Sequence, residues 1–319
     1  MTRAVRAWAL VLLVVGAALG HTACDSGANP PDAAAPGALR IVSLTPSLTQ
    51  LCVEMGLGDR IVGVTRYDAF RGVEGGPQVA VVTDHSVAGV ASVAPTHVLT
   101  TVSPSLPVPS AIQRLADRGA FALGAYAYPA SLDDVVACLV ETDRATGSPA
   151  MGTFLGKQES ARALADKIQA ERAKLRGAAT GPRLRVLLLF EASGASGAGG
   201  YRASGPGTVL DEALRLAGHV NALEGRVSGE AGSATVTAPR LTLAAIADLA
   251  PDAVVVFDPG GAAFSGVQDS RLTALRGVPM PAVGEGRLWV ETDARALLPS
   301  LATLDLAGRL AAWLAGESP

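Results

Sequence analysis

Aromatic residues are scarce in this 319-residue chain: six Phe, four Tyr and three Trp. A ligand cleft built from it has few flat apolar faces. Cysteine is limited to Cys24, Cys52 and Cys138, with no Cys-x-x-Cys, so no redox or zinc signature is present. The four histidines, His21, His85, His97 and His219, are far apart in sequence. No Gly-x-Ser-x-Gly and no Gly-x-x-x-x-Gly-Lys occurs, which removes the nucleophile elbow and the nucleotide loop and argues against an enzyme. Net charge is only −3, which gives no support for nucleic acid as a partner. One long apolar run exists, Ala7 to Gly20, and nothing after it reads as a transmembrane helix.

That run follows Arg3 and Arg6 and is short for a membrane span, the layout of a secretory signal. Two processing readings stand. In one, His21-Thr22-Ala23-Cys24 is a degenerate lipobox and Cys24 becomes the lipidated first residue. In the other, a cut after Gly20 releases a soluble periplasmic protein. The stretch after Cys24, DSGANPPDAAAPGA, is small, polar and Pro-rich, and behaves as an extended tether.

The rest alternates apolar strands with helices, the pattern of an α/β protein with parallel-type sheets. The segments divide into a signal peptide with lipobox (1–24), a flexible tether (25–38), an N-terminal α/β lobe (39–148), a connecting helix (149–180) and a C-terminal α/β lobe (181–319). Pro149 to about Arg176 reads as one rigid helix, with an apolar stripe through Leu155, Ala161, Leu164, Ala165 and Ile168 opposite a charged face. Cys52 and Cys138 both fall on first-lobe helices, either as buried thiols or as a disulfide.

Several stretches resemble, in order, the helical-backbone solute-binding proteins that feed cobalamin, heme and iron-siderophore ABC importers. They are Arg40 to Asp68 (RIVSLTPSLTQLCVEMGLGDRIVGVTRYD), Val90 to Leu99, Tyr128 to Val135, Gly207 to Asn221 and Ala247 to Val256. The resemblance covers about Arg40 to Leu314. It implies two α/β lobes joined by one long helix, with the ligand in the cleft between them. It also implies a monomeric, non-enzymatic receptor on the periplasmic face, lipid-anchored or soluble. Its partners would be a small metal-chelate, such as cobalamin or an iron-siderophore, and an ABC permease with its ATPase; no cofactor is implied.

In parallel α/β sheets ligands bind beyond the carboxyl ends of strands, so loops after strands carry the candidates. Tyr67 matches a ligand-contacting aromatic of the cobalamin-binding members. Asp84 and His85 sit in a polar turn that the resemblance places at the cleft mouth, with solvation as the plainer reading. Tyr201 and Arg202 stand in a glycine-rich loop, and Arg202 is suited to hold an acidic group. Arg295, near Asp293, is a similar candidate. Three departures bear on function. Aromatics are few. The carboxylates with which the family docks onto its permease align with Ala88 and Ala244, leaving Glu74 or Asp248 as substitutes. The family's Gly-Pro-Arg before the last helix is Leu298-Pro299-Ser300. A scaffold of the same fold that has lost docking, and a zinc or manganese receptor, are the alternatives.

Overall fold

In the computed structural model, residues 38–68, 80–82, 86–103, 106–178, 182–191, 200–225 and 239–317 are described. The targeting segment, Cys24 and the tether lie outside them. Five strands form the first sheet: β1 (Ile41–Ser43), β2 (Ile61–Val64), β3 (Ala80–Val81), β4 (His97–Val102) and β5 (Ala122–Ala127). All pair in parallel in the order β3-β2-β1-β4-β5. The chain leaves β1 toward β2 on one side and returns to β4 on the other, so β1 and β4 flank the topological switch point. Helices α1 (Pro46–Glu54), α2 (Val87–Ser92), α3 (Ser110–Asp117) and α4 (Leu132–Val140) cross over this sheet. Ser131 caps α4 in a capping box with Asp134, as its sequence suggests.

The connection between the sheets is not the single helix expected from Pro149. It is a short turn, α5 (Met151–Phe154), followed by α6 (Gln158–Ala178). Gly156, at φ +65°, turns the chain between them, and the Lys157 amide returns to the Gly152 carbonyl at 2.7 Å. The rigid part is therefore the 21 residues of α6, about 31 Å at about 1.5 Å per residue.

The second sheet contains β6 (Arg185–Glu191), β7 (Tyr201–Ala203), β8 (Val220–Asn221), β9 (Arg240–Leu241), β10 (Ala253–Phe257) and β11 (Leu288–Glu291). Its main order is β11-β10-β6-β7-β9, with β8 beside the start of β6. The sheet is mixed, because β7 and β9 run antiparallel to their neighbours. Helices α7 (Val209–Leu216), α8 (Leu243–Leu249), α9 (Thr273–Arg276), α10 (Pro281–Gly284) and α11 (Leu301–Leu314) complete this lobe. Ser300, where the family's arginine was expected, is the N-cap of α11: its Oγ accepts from the Ala302 amide at 3.1 Å.

One apolar cluster runs through both lobes, taking in Leu48 and Leu51 of α1, Leu139 of α4, Ile168 of α6, Leu214 of α7 and Leu310 of α11. Polar contacts frame it. The Glu54 carboxylate on α1 accepts from the Leu301 amide at the first turn of α11, 3.2 Å away. In reverse, Glu212 on α7 accepts from the Leu132 amide at the first turn of α4, 2.8 Å away. Arg172 on α6 joins this second contact, reaching Glu212 at 2.7 Å and also Asp133. Cys52 and Cys138 are free thiols in the same cluster; burial pushes both up, Cys138 to about 12.

Candidate functional site

The carboxyl ends of the first sheet carry a hydroxyl-rich edge. Thr45 follows β1 and Thr101 lies near the end of β4. The Thr101 amide donates to Thr45 Oγ1 at 3.0 Å, and the two hydroxyls are 3.1 Å apart. After β2 the chain makes a tight turn. Asp68 Oδ2 accepts from the Thr65 amide at 2.8 Å and from its hydroxyl at 2.7 Å, and Asp68 is buried. That turn holds Tyr67 outward, 68% exposed. The Arg66 guanidinium lies 4.8 Å from the Tyr67 ring centroid, and its Nη2 donates to the phenol oxygen at 2.6 Å. Asp84 and His85 lie outside the described residues.

On the second lobe the structure separates Tyr201 from Arg202. Both belong to strand β7, not to a loop, and successive strand residues face opposite sides. Tyr201 points inward among Leu187, Leu189, Ala203 and Ile246 and is 9% exposed, so it is a core residue rather than a ligand contact. Arg202 faces outward. It pairs across the strands with Phe190 on one side and Arg240 on the other, and Arg240 is also exposed. Phe190 in turn pairs with Phe257, their rings stacked at 5.4 Å. Phe264, in the loop after β10, packs against the apolar clusters on both faces of this sheet. Three of the six phenylalanines thus gather at the carboxyl end of the second sheet. The sequence concealed this, because they lie on two strands and a loop far apart in the chain.

The loop after β10 is held shut. Arg271 donates to Asp258 Oδ2 at 2.8 Å and to Asp269 at 2.8 and 2.7 Å. The Arg271 bonds hold the Asp269 carboxyl well below the usual carboxylate range. A Cβ on Gly261 would meet the Asp258 carboxylate, which would have to move from Arg271 to admit it. Arg295 is also engaged: its Nε and Nη2 donate to Asp293 at 3.1 and 2.9 Å. It is half exposed and its field reaches Glu54 and Asp305, which places it beside the contact between α1 and α11. Asp293 continues a network in which Arg309 grips the buried Glu291 at 2.7 Å.

A cavity of about 430 Å³ lies along α4, lined by Tyr128, Asp133, Asp134, Cys138, Glu141 and Asp143 among others. All its lining residues belong to the first lobe. Among the described residues no three His, Cys, Asp or Glu side chains converge to hold a metal, and no helix is long and apolar enough to cross a membrane.

No protein-family model and no curated protein sequence matches the chain. Solved structures do. The periplasmic heme-binding protein RhuT from Roseiflexus sp. RS-1, in apo form, superposes with a TM-score of 0.64 at 24% identity, covering 86% of this chain and 98% of its own. The periplasmic heme-binding protein HutB of Vibrio cholerae gives 0.65 at 20%, covering 86% and 98%. The vitamin B12-binding protein BtuF of Vibrio cholerae gives 0.60 at 18%, covering 86% and 96%. The chain therefore has the two-lobed α/β fold of the helical-backbone periplasmic solute-binding proteins that its sequence resembles.

Proposed function

We propose that this chain is the extracytoplasmic substrate-binding protein of an ABC importer and carries a metal-chelate of the cobalamin, heme or iron-siderophore kind. The observation that carries this reading is the fold, in which the carboxyl ends of both sheets present unburied side chains suited to one flat, polar-edged ligand. Tyr67 offers an aromatic face from the first lobe. Arg202, beside the Phe190–Phe257 stack, offers a fixed charge from the second. Arg295 borders the site from the second lobe, and Asp84 and His85, outside the described residues, are kept as candidates on the sequence alone. The protein works outside the cytoplasm, anchored through Cys24. A thermal-shift screen with cobalamin, cobinamide, heme and ferric siderophores tests it. A ligand at a hundredfold excess over its Kd stabilises by about 2.7 kcal/mol, and no shift with any chelate overturns the reading.

One observation favours a second reading, a receptor of the same fold that no longer docks to a permease. Ala88 on α2 and Ala244 on α8 are both exposed and carry no charge. Asp248, exposed on α8, is the nearest described substitute. A chelate-loaded chain that fails to stimulate the ATPase of its reconstituted importer would favour this second reading.

A further inference from the structure

Six large apolar side chains stand exposed among the described residues: Tyr67, Val81, Leu106, Tyr128, Val140 and Val267. Single exposed apolar residues need no explanation, but four of these six share one edge. Val81 ends β3 and pairs with Val64, the last residue of β2. Tyr67 stands just beyond β2. Leu106 is bridged to Ser103, the residue that follows β4, and Tyr128 follows Ala127, the last residue of β5. In the strand order β3-β2-β1-β4-β5 they form a row along the carboxyl ends of the first sheet: Val81, Tyr67, Leu106, Tyr128. The one gap in the row is β1, where Thr45 and Thr101 pair their hydroxyls. Neighbouring strands lie about 4.8 Å apart, so the strands that carry Tyr67 and Leu106 are about 10 Å apart on either side of β1, and that of Tyr128 lies about 5 Å farther out.

These side chains stand on fixed backbone. The Leu106 amide donates to the Ser103 carbonyl at 3.0 Å and to its Oγ at 3.1 Å, and the Leu106 carbonyl accepts from the Ser103 amide at 3.1 Å. Tyr128 lies between two tied amides: Ala127 donates to Asp143 Oδ2 at 2.7 Å and Ala130 to Asp134 Oδ2 at 3.0 Å. Asp68 fixes the turn that carries Tyr67. The other two tyrosines, Tyr126 and Tyr201, are buried in the cores. Leu106 at 62% exposure and Tyr128 at 52% gain little from folding, whereas a molecule laid over them would take their apolar faces out of water. The row begins with Tyr67 and crosses the switch point between β1 and β4, where open α/β sheets bind their ligands, so the molecule that covers it is the ligand of the cleft.

We propose that Leu106 and Tyr128 are ligand-contacting residues, and that the ligand lies on the first lobe across the whole row from Tyr67 to Tyr128 rather than on Tyr67 alone. This rests on the reading of the chain as a chelate-binding protein. The first test is tyrosine nitration by tetranitromethane, read by peptide mass spectrometry, on the free protein and with ferric protoporphyrin IX or cyanocobalamin added. Tyr67 and Tyr128 should be nitrated in the free protein, and whichever chelate binds should protect both. The second test is calorimetric titration with the same chelate. Leu106→Ala and Tyr128→Ala should each weaken binding about tenfold with Tm unchanged, the scale of one buried apolar side chain. Leu106→Met, which keeps the apolar bulk, should retain wild-type affinity, as should Val267→Ala, which removes an exposed apolar side chain away from the row. Protection of Tyr67 without Tyr128, or wild-type affinity in folded Leu106→Ala or Tyr128→Ala, overturns the inference. If no chelate binds wild type, the carrier reading falls. The row is then judged by 8-anilinonaphthalene-1-sulfonate: enhanced dye fluorescence that is lost in Leu106→Asp and kept in Val267→Asp retains it as an apolar recognition surface, and fluorescence equal in both variants overturns it.

Discussion

Glu54 and Glu212 occupy reciprocal positions. Glu54, on a first-lobe helix, accepts from the Leu301 amide at the start of a second-lobe helix; Glu212, on a second-lobe helix, accepts from the Leu132 amide at the start of a first-lobe helix. Both receiving helices already have serine N-caps, Ser300 and Ser131, so each carboxylate takes an amide that the cap leaves over. Each lobe thus finishes a helix of the other. With Arg172 tied to Asp133 and Glu212, the relative setting of the lobes rests on several directional bonds. Those bonds resist a wide opening more than a smooth apolar seam would.

The Arg172–Glu212 pair is largely shielded, at 13% and 16% side-chain exposure. Glu212→Ala should therefore cost about 1–3 kcal/mol, because it leaves the Leu132 amide unpaired and takes from Arg172 the more shielded of its two carboxylates, Asp133 remaining. Urea denaturation measures it. A double-mutant cycle with Arg172→Ala should show coupling of about 1–3 kcal/mol, and additive losses would contradict the network.

Glu54 should give a pH dependence of its own. Burial raises its carboxyl above the ordinary value of about 4.3, against the lowering bonds from Gln50, Leu301 and Ser300. A group raised on folding contributes stability that is full below its unfolded value and lost as pH rises through its folded value. The stability of wild type relative to Glu54→Gln should accordingly fall as pH rises above the ordinary carboxyl value of about 4.3 and level off once the raised folded-state carboxyl has ionised. A difference independent of pH would remove Glu54 as its source.

Tyr67→Ala and Arg202→Ala should each weaken chelate binding by about 1–3 kcal/mol while leaving the fold intact. Tyr201→Ala should do the reverse, costing about 3 kcal/mol of stability through a cavity in the second-lobe core. Preserved affinity in both cleft variants would move the site elsewhere.

Ligand addition should rotate the lobes only slightly, since α6 and the reciprocal glutamates join them on fixed elements. Small-angle scattering of the free and loaded protein measures this, and a large drop in radius of gyration would contradict it.

Cys24→Ser should abolish incorporation of labelled fatty acid and release the protein from the membrane fraction. A wild-type chain that begins at His21 and carries no lipid would exclude the anchor.

The order of strands and helices, the two lobes and the helix between them were legible because they depend on local periodicity and on caps such as Ser131. What escaped the sequence depends on pairing. Glycines around Tyr201 and Arg202 read as loop, but β6 recruits those residues into an antiparallel strand, and strand alternation then buries one and exposes the other. The expected helix from Pro149 breaks at Gly156, where close packing of Gly152 against Ala161 favours a turn over continued periodicity. Nothing local in the sequence marks Glu54 or Glu212. Only the packing of the two lobes brings the first turns of α11 and α4 beside them, because a contact between residues far apart in sequence is decided by the whole fold and leaves no local pattern to read.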